Sequence, residues 1–262
     1  MSRDSIGILA TARLGSTRLR RKHLLKVEGR TLLDWLLRRI KAVFAAELAA
    51  GAARIIIATT PEPENLELRQ FEDQGIVVFA GSKDNIPLRH LEAARALGLS
   101  GIVSVDGDDV LCASEAMRAV YDGLAGGAVG VRTEGLPVGM NAWGYAAAFL
   151  AESLEGHHEA RLETGWGRVF DFNRFATIPL AAAGASDAVR LTLDYQEDFD
   201  LFRAVIEGLG DTVVKASAED IVRYILKNDL TRLNDNRVEE YWANFERVRE
   251  AERAHSSKKA ML

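Results

Sequence analysis

Ile6-Gly7-Ile8-Leu9-Ala10-Thr11, followed directly by Ala12-Arg13-Leu14-Gly15-Ser16-Thr17-Arg18-Leu19-Arg20-Arg21-Lys22, is the stretch on which the fold turns. The first six residues are a short apolar run that reads as a buried strand rather than a helix. The next eleven form a polar loop carrying five cations, and no carboxylate occurs between Asp4 and Glu28. From Thr31 to Ala50 the pattern turns helical. Leu32, Leu33, Leu36, Leu37 and Ile40 share one face, with Arg38, Arg39 and Lys41 off it. Thr31 is the expected N-cap and Gly51 the expected C-cap. Strand, loop, helix is how an open α/β sheet begins, and such sheets bind ligands beyond the carboxyl ends of their strands.

The same rhythm continues. Arg54 to Thr59 reads as a second parallel strand, and the Pro-rich PEPEN after it opens a helix from about Leu66 to Asp73 that Gly75 ends. Ile76 to Phe79 is a third strand, followed by a loop over Ala80 to Asn85 and a helix through Leu97. Gly101 to Val105 is a fourth, ending in Asp106-Gly107-Asp108-Asp109. Four strand–helix alternations predict a mostly parallel central sheet flanked by helices. In the second half Ala128 to Val131 and Ala142 to Ala147 are expected strands, the latter running the opposite way. Val189 to Leu193 is an expected strand ending at Asp194, and Glu197 to Gly208 an expected helix. The chain after Ala218 is helical in pattern, and Val238 to Arg253 reads as a subunit-packing helix or a solvated end. We expect one α/β domain over residues 1–235 and a helical tail over 236–262.

With 262 residues, 48% hydrophobic, 27% charged and a formal net charge of −5, the chain has the composition of a soluble globular protein. The acidic balance argues against nucleic acid or an anionic membrane as partner, so an anionic ligand needs a local group of cations. A single cysteine, Cys112, makes no internal disulfide and reads as a buried thiol. The apolar run near the N-terminus is too short for a signal-peptide core, and no stretch approaches the roughly 20 apolar residues of a spanning helix. A cytoplasmic location is expected.

The loop at 12–22 suits a polyphosphate. Gly15 permits close backbone approach, Ser16 and Thr17 add hydroxyl donors, arginines offer planar forks and Lys22 a point charge. Its order is not that of a Walker A loop. Asp106, Asp108 and Asp109 at the fourth strand end, and Asp194 later, are oxygen donors suited to Mg²⁺ against a triphosphate. They read equally as turn or cap residues, since Asp and Gly populate turns and Asp198 is also placed to cap a helix.

These segments, in this order, resemble the sugar cytidylyltransferases: acylneuraminate and 3-deoxy-manno-octulosonate cytidylyltransferases and, most closely, the spore-coat-polysaccharide type. The loop is similar to that family's A-R-x-G-S-x-R-x-x-x-K signature at Ala12, Arg13, Gly15, Ser16, Arg18 and Lys22. Leu24 to Leu33 is similar to the segment that follows it. Val105 to Asp109 and Arg190 to Phe199 (RLTLDYQEDF) resemble the G-D turn and the R-L-T-V-D-x-P-E-D segment. The resemblance implies a Rossmann-like nucleotidyltransferase fold, a homodimer, and Mg²⁺-dependent transfer of CMP from CTP to a sugar or ulosonic acid with release of pyrophosphate. It puts Arg13, Arg18 and Lys22 on the triphosphate, Asp108 and Asp194 on the metal, and Ala12, Gly15, Ser16 and Thr17 on the nucleotide. Ser82, Asp84 and Arg89 fall on the loop that contacts the nucleoside. Arg20-Arg21 replaces the family's Pro-Gly, Asp109-Val110 replaces the proline after the turn, and Asn141 stands where an acidic sugar contact is expected.

Two other functions compete. Asp106-Gly107-Asp108 satisfies the D-x-D pattern of nucleotide-sugar glycosyltransferases, although those donors carry two phosphates rather than three. A non-catalytic nucleotide-binding protein would keep the loop without turnover. Arg132, Arg161 and Arg168 are candidates for an acceptor carboxylate. His157-His158-Glu159 reads as surface or sugar contact, because adjacent side chains diverge. Trp143, Trp166 and Trp242 read as core packing.

Overall fold

Apolar runs too short for helices build the sheet. The computed structural model describes residues 5–155, 157, 161–182, 184 and 188–259. It begins with β1 (Ser5–Thr11), a short hairpin of β2 (Lys26–Val27) and β3 (Arg30–Thr31), α1 (Leu32–Val43), α2 (Ala45–Ala49) and β4 (Ala53–Thr59). A 3-10 segment, Pro63–Gln74, leads to β5 (Val77–Ala80), α3 (Ile86–Leu97), β6 (Leu99–Asp106) and α4 (Ser114–Ala125). Then come β7 (Gly130–Glu134), β8 (Trp143–Ala146), α5 (Ala147–Glu155) and β9 (Phe175–Pro179). The helices α6 (Gln196–Leu209), α7 (Ala218–Lys227) and α8 (Val238–Lys259) follow.

Seven strands form one sheet in the order β5-β4-β1-β6-β8-β7-β9. β1 is parallel to β4 on one side and to β6 on the other, and β8 is antiparallel to both β6 and β7. The chain thus winds outward from β1 to β5 and then crosses back to β6. That reversal makes the crevice between β1 and β6 the switch point, where an open α/β sheet offers a ligand site. Ile6, Ile8 and Ala10 join the core on one face of the sheet and Leu9 the core on the other, so β1 is buried on both faces.

The sequence reading needs four corrections. Val189 to Leu193 is not a ladder strand. Its backbone is held by an isolated bridge between Val138 and Arg190, by Leu191 N–H to Val138 C=O (2.8 Å), and by Leu193 N–H to Asp108 C=O (2.9 Å). β9, a parallel edge partner of β7, has no counterpart in the reading. The helix expected over 31–50 stops at Val43, and α2 follows as a separate short helix; Thr31 does cap α1, accepting Asp34 N–H at 3.1 Å. Arg39, read as off the buried face, is fully buried. It projects from α1 into the interior, where Cys112, Val213 and Ala216 carbonyls take its donors.

Among the described residues, no helix is long and apolar enough to cross a membrane. His158 and Glu159 lie outside the described residues. Cys112 is buried as expected, and burial pushes its thiol up. Trp166 is buried and Trp143 half-buried in one aromatic cluster, with ring centroids 4.4 Å apart, whereas Trp242 is 45% exposed.

Candidate active site

The loop after β1 and the turn after β6 meet because their strands are adjacent. Gly107 N–H donates to Thr11 C=O at 2.8 Å, and a Cβ on Gly107 would lie 2.7 Å from that oxygen, so this approach requires glycine. Asn65 secures the loop from the other side. Its Oδ1 accepts Leu14 N–H at 2.8 Å, and its amide donates to Thr60 C=O and Oγ1. A Cβ on Gly15 would lie 3.3 Å from Glu64 Oε1, a tight contact, so glycine lets the loop pass close to Glu64.

Asp194 reaches the same place through the Leu193–Asp108 backbone bond. Asp198, not Asp194, serves the helix: its Oδ2 accepts the N–H groups of Asp194 and Tyr195, both at 2.9 Å. Arg190 and Asn234 Nδ2 hold Asp198 Oδ1. With its neighbour capping α6, Asp194 can turn its carboxylate into the cleft.

Lys22 lies between the two aspartates. Its Nζ is 2.7 Å from Asp108 Oδ2, 3.3 Å from Asp194 Oδ1 and 2.8 Å from Leu193 C=O. Burial works against the ammonium charge, but the Asp108 and Asp194 carboxylates outweigh it and hold Lys22 above the ordinary lysine value. Burial likewise opposes the Asp194 charge, and Lys22 and Arg18 overcome it, keeping that carboxyl below the usual range. Arg18 pairs with Asp194, and Arg13 pairs with Glu163. All three cations that the resemblance puts on a triphosphate are therefore paired with carboxylates.

The cleft floor is acidic. Withdrawal from bulk water, and then the Asp108 carboxylate, push Asp106 up to about 6. Its side chain opens onto the cavity, so like-charge repulsion is the cause that persists in a wet cleft. Asp108 Oδ1 is buried without a hydrogen-bond partner. Among the described residues no group of three or more His, Cys, Asp or Glu forms a ready metal cage. An orphaned carboxylate oxygen beside a second carboxylate does fit Mg²⁺, which binds one or two carboxylates and completes its shell with substrate phosphates and water.

These groups share a cavity of about 610 Å³. Ala12, Arg13, Gly15, Ser16, Thr17, Arg18 and Lys22 line it, as do Asp108 and Asp194. Arg89 lines it too, but its guanidinium is buried and donates to the Ser82 and Lys83 carbonyls, giving it a loop-shaping role here. Ser82 and Asp84 are not among the lining residues. Of the three arginines considered for an acceptor, only Arg161 faces the cavity. Arg168 pairs with Glu252, and Arg132 donates to Thr177 Oγ1 at 3.0 Å. Asn141 donates to Leu136 C=O away from the cavity. A separate groove of about 720 Å³ runs by Arg38, Leu209 and α7 and contains none of these groups.

Residues 7–141, just over half the chain and spanning both the loop and the acidic turn, match the Cytidylyltransferase family model. The chain belongs to the cytidylyltransferase family. Over 140 residues it is 31% identical to the 3-deoxy-manno-octulosonate cytidylyltransferase of Aeromonas salmonicida, covering 51% of each chain. Over 111 residues it is 35% identical to an uncharacterized protein of Methanocaldococcus jannaschii, covering 42% of this chain and 43% of that one. The matches thus span about half the length of these curated relatives. A cytidylyltransferase from Leptospira borgpetersenii superposes with a TM-score of 0.73 over 88% of this chain and 97% of its own, at 23% identity. A CMP:2-keto-3-deoxy-manno-octonic acid synthetase complexed with CTP superposes with a TM-score of 0.57 over 78% and 99%, at 15% identity. These likenesses establish the Rossmann-like nucleotidyltransferase fold.

In this member of the family the residues that sequence reasoning missed include His23, Glu163, Asn65 and the α8 group Tyr241, Asn244, Phe245 and Val248, which also line the cavity except for Asn65. A signal for α8 was present: Val238, Tyr241, Phe245, Val248 and Glu252 recur every three or four residues.

Proposed function

We propose that the protein transfers CMP from CTP to a sugar-type acceptor in a Mg²⁺-dependent reaction that releases pyrophosphate. One observation carries the reading: Lys22 bridges Asp108 and Asp194 beneath a cation loop, inside a single cavity. A relative that bears the name 3-deoxy-manno-octulosonate cytidylyltransferase supports CTP as the donor.

On this reading the triphosphate displaces carboxylates from Arg13 and Arg18, which then hold its oxygens with charge-assisted bonds. Lys22 gives up its bridge and follows the charge developing on the leaving pyrophosphate. Asp108, through an Oδ1 that makes no hydrogen bond and has His23 Nε2 at 3.6 Å, and Asp194 are the residues that would hold Mg²⁺. When bound, the metal supplies Lewis-acid neutralisation of the phosphate and lowers the acceptor oxygen's pKa. The acceptor oxygen bonds to the α-phosphorus as the bond to the β-phosphate's bridging oxygen breaks. Pyrophosphate leaves with that electron pair, and the hydroxyl proton passes to water in the open cleft. Most of the protein's contribution is positioning and charge neutralisation.

The test is pyrophosphate release with each of the four common nucleoside triphosphates against a panel of sugars, ulosonic acids and phosphonates, with CTP affinity measured by calorimetry. CTP-dependent, Mg²⁺-dependent release is expected. Neither release nor CTP binding across the panel would sink the reading. Glycosyl transfer from a supplied nucleotide sugar, or its hydrolysis, with no pyrophosphate release from CTP, would favour the D-x-D glycosyltransferase.

A further inference from the structure

Apart from Thr11, His23, Ile86, Arg89, Trp143 and Thr192, the cavity lining falls into three groups: the cation loop, the carboxylate floor, and one side of α8 with the segment around Arg161 and Glu163. The first two groups are claimed by the triphosphate and its metal. The third has no such assignment.

Burial along α8 is one-sided. Val238, Tyr241, Asn244, Phe245, Val248 and Arg249 are half-buried and Glu252 is buried, while Glu239, Glu240, Trp242, Ala243, Glu246, Arg247, Glu250 and Ala251 are exposed. That spacing is a single helical stripe. Both ends of the stripe are fastened. Arg190 stacks over the Tyr241 ring at 5.0 Å, beside the segment that delivers Asp194. Eleven residues on, Glu252 accepts the N–H groups of Glu163 (3.2 Å) and Thr164 (3.0 Å) and pairs with Arg168. Between these points α8 runs about 16 Å along the cavity, enough to pass a sugar-sized ligand. A buried glutamate binding two backbone amides and an arginine is a costly arrangement for a helix end with no work to do.

The middle of the stripe has the chemistry of a sugar site. Phe245 offers an apolar ring. Asn244 has its amide oriented by Arg247, which donates to Oδ1 at 2.7 Å, and offers its NH₂ as a donor. Aromatic faces take the C–H face of a hydroxylated ring, and amides take its hydroxyls.

We propose that the cavity-facing stripe of α8, centred on Asn244 and Phe245, is the acceptor-binding wall, and that its ligand is a sugar whose ring packs on Phe245 while its hydroxyls bond Asn244. The proposal rests on the cavity being the CTP-dependent transfer site. α8 thereby sets acceptor specificity without contacting the triphosphate.

Asn244→Ala and Phe245→Ala test it, with Glu250→Ala on the exposed side of the same helix as the control. Each is assayed for Mg²⁺–CTP affinity by calorimetry and for pyrophosphate release over the sugar panel. The expected result is an acceptor KM raised tenfold or more in both cavity-facing variants. CTP affinity should stay within twofold, and Glu250→Ala should behave as the parent. Unchanged acceptor KM in both variants overturns the proposal. So does an equal loss of CTP affinity, which would make α8 part of the nucleotide site. A parent protein that binds Mg²⁺–CTP but transfers CMP to no sugar also overturns it. Failure of the parent to bind CTP overturns the underlying transfer reading, and the proposal with it.

Discussion

Lys22 holds its ammonium 2.7 Å from the Asp108 carboxylate, at the point where the ends of β1 and β6 converge. The ion pair is inside the protein, and Asp194 shares it at 3.3 Å. Lys22 and the two carboxylates proposed to hold Mg²⁺ therefore neutralise one another inside the site.

Lys22→Met should expose that dependence. Removing the buried cation leaves the Asp108 charge uncompensated and Asp194 with Arg18 alone, which costs up to roughly 3–5 kcal/mol. Urea denaturation of the metal-free variant should show a loss of that order, partly restored by millimolar Mg²⁺, together with loss of pyrophosphate release. Stability equal to the parent's would mean that the bridge is not formed in solution.

Asp108→Asn and Asp194→Asn should each abolish Mg²⁺-dependent turnover while leaving the far-ultraviolet circular dichroism unchanged. Because Asp198 caps α6, the Asp194 substitution does not remove a helix cap. Full activity in either variant removes that residue from the metal site.

Gly107→Ala should destabilise the protein by about 1–3 kcal/mol, since its Cβ meets a backbone oxygen and the His23 ring in a packed turn. The same variant should lower CTP affinity, because the turn and the loop must part to admit the methyl group. A parent-like melting temperature and affinity would show that this approach is looser than described.

His90 supplies a pH test. Its ring bonds Thr11 Oγ1 at 2.9 Å and Tyr145 Oη at 2.6 Å, and burial, aided by the Arg89 charge, lowers its pKa from 6.5 to about 3. Between those values the unfolded chain binds the extra proton. Stability is therefore present above the unfolded value and falls as pH drops through the window, by up to about 1.4 kcal/mol per pH unit. The raised Asp106 and Asp109 carboxyls act in the opposite direction, but they are common to parent and variant. His90→Gln should flatten the fall in unfolding free energy between about pH 6 and pH 4 by the equivalent of one proton. Parallel curves for the two proteins would rule out this role for His90.

How the fold could be read depended on the range of the forces involved. β1, β4, β5 and β6 are continuous apolar runs bounded by polar turns, so local pattern alone located them, although the helix expected after β4 is a 3-10 segment and α1 is shorter than expected. Residues 189–193 have the same apolar pattern but form no ladder, because whether a run pairs depends on which backbone lies beside it. Arg39 resembled a surface arginine because its partners are carbonyls far along the chain.

By itself, the sequence determined the alternation of strands and helices, the cation loop after the first strand and the acidic turn after the fourth. Each is a property of neighbouring residues: apolar period, charge clustering, glycine in a turn. Only the tertiary structure decided that Asp194 joins Asp108, that Lys22 lies between them, and that α8 returns to the cavity. Those relations link residues separated by many tens of positions. They arise from strand order, from one backbone bond between Leu193 and Asp108, and from a buried glutamate at residue 252. Local pattern carries no record of them, because contacts between distant segments are selected by packing and hydrogen-bond satisfaction across the whole fold.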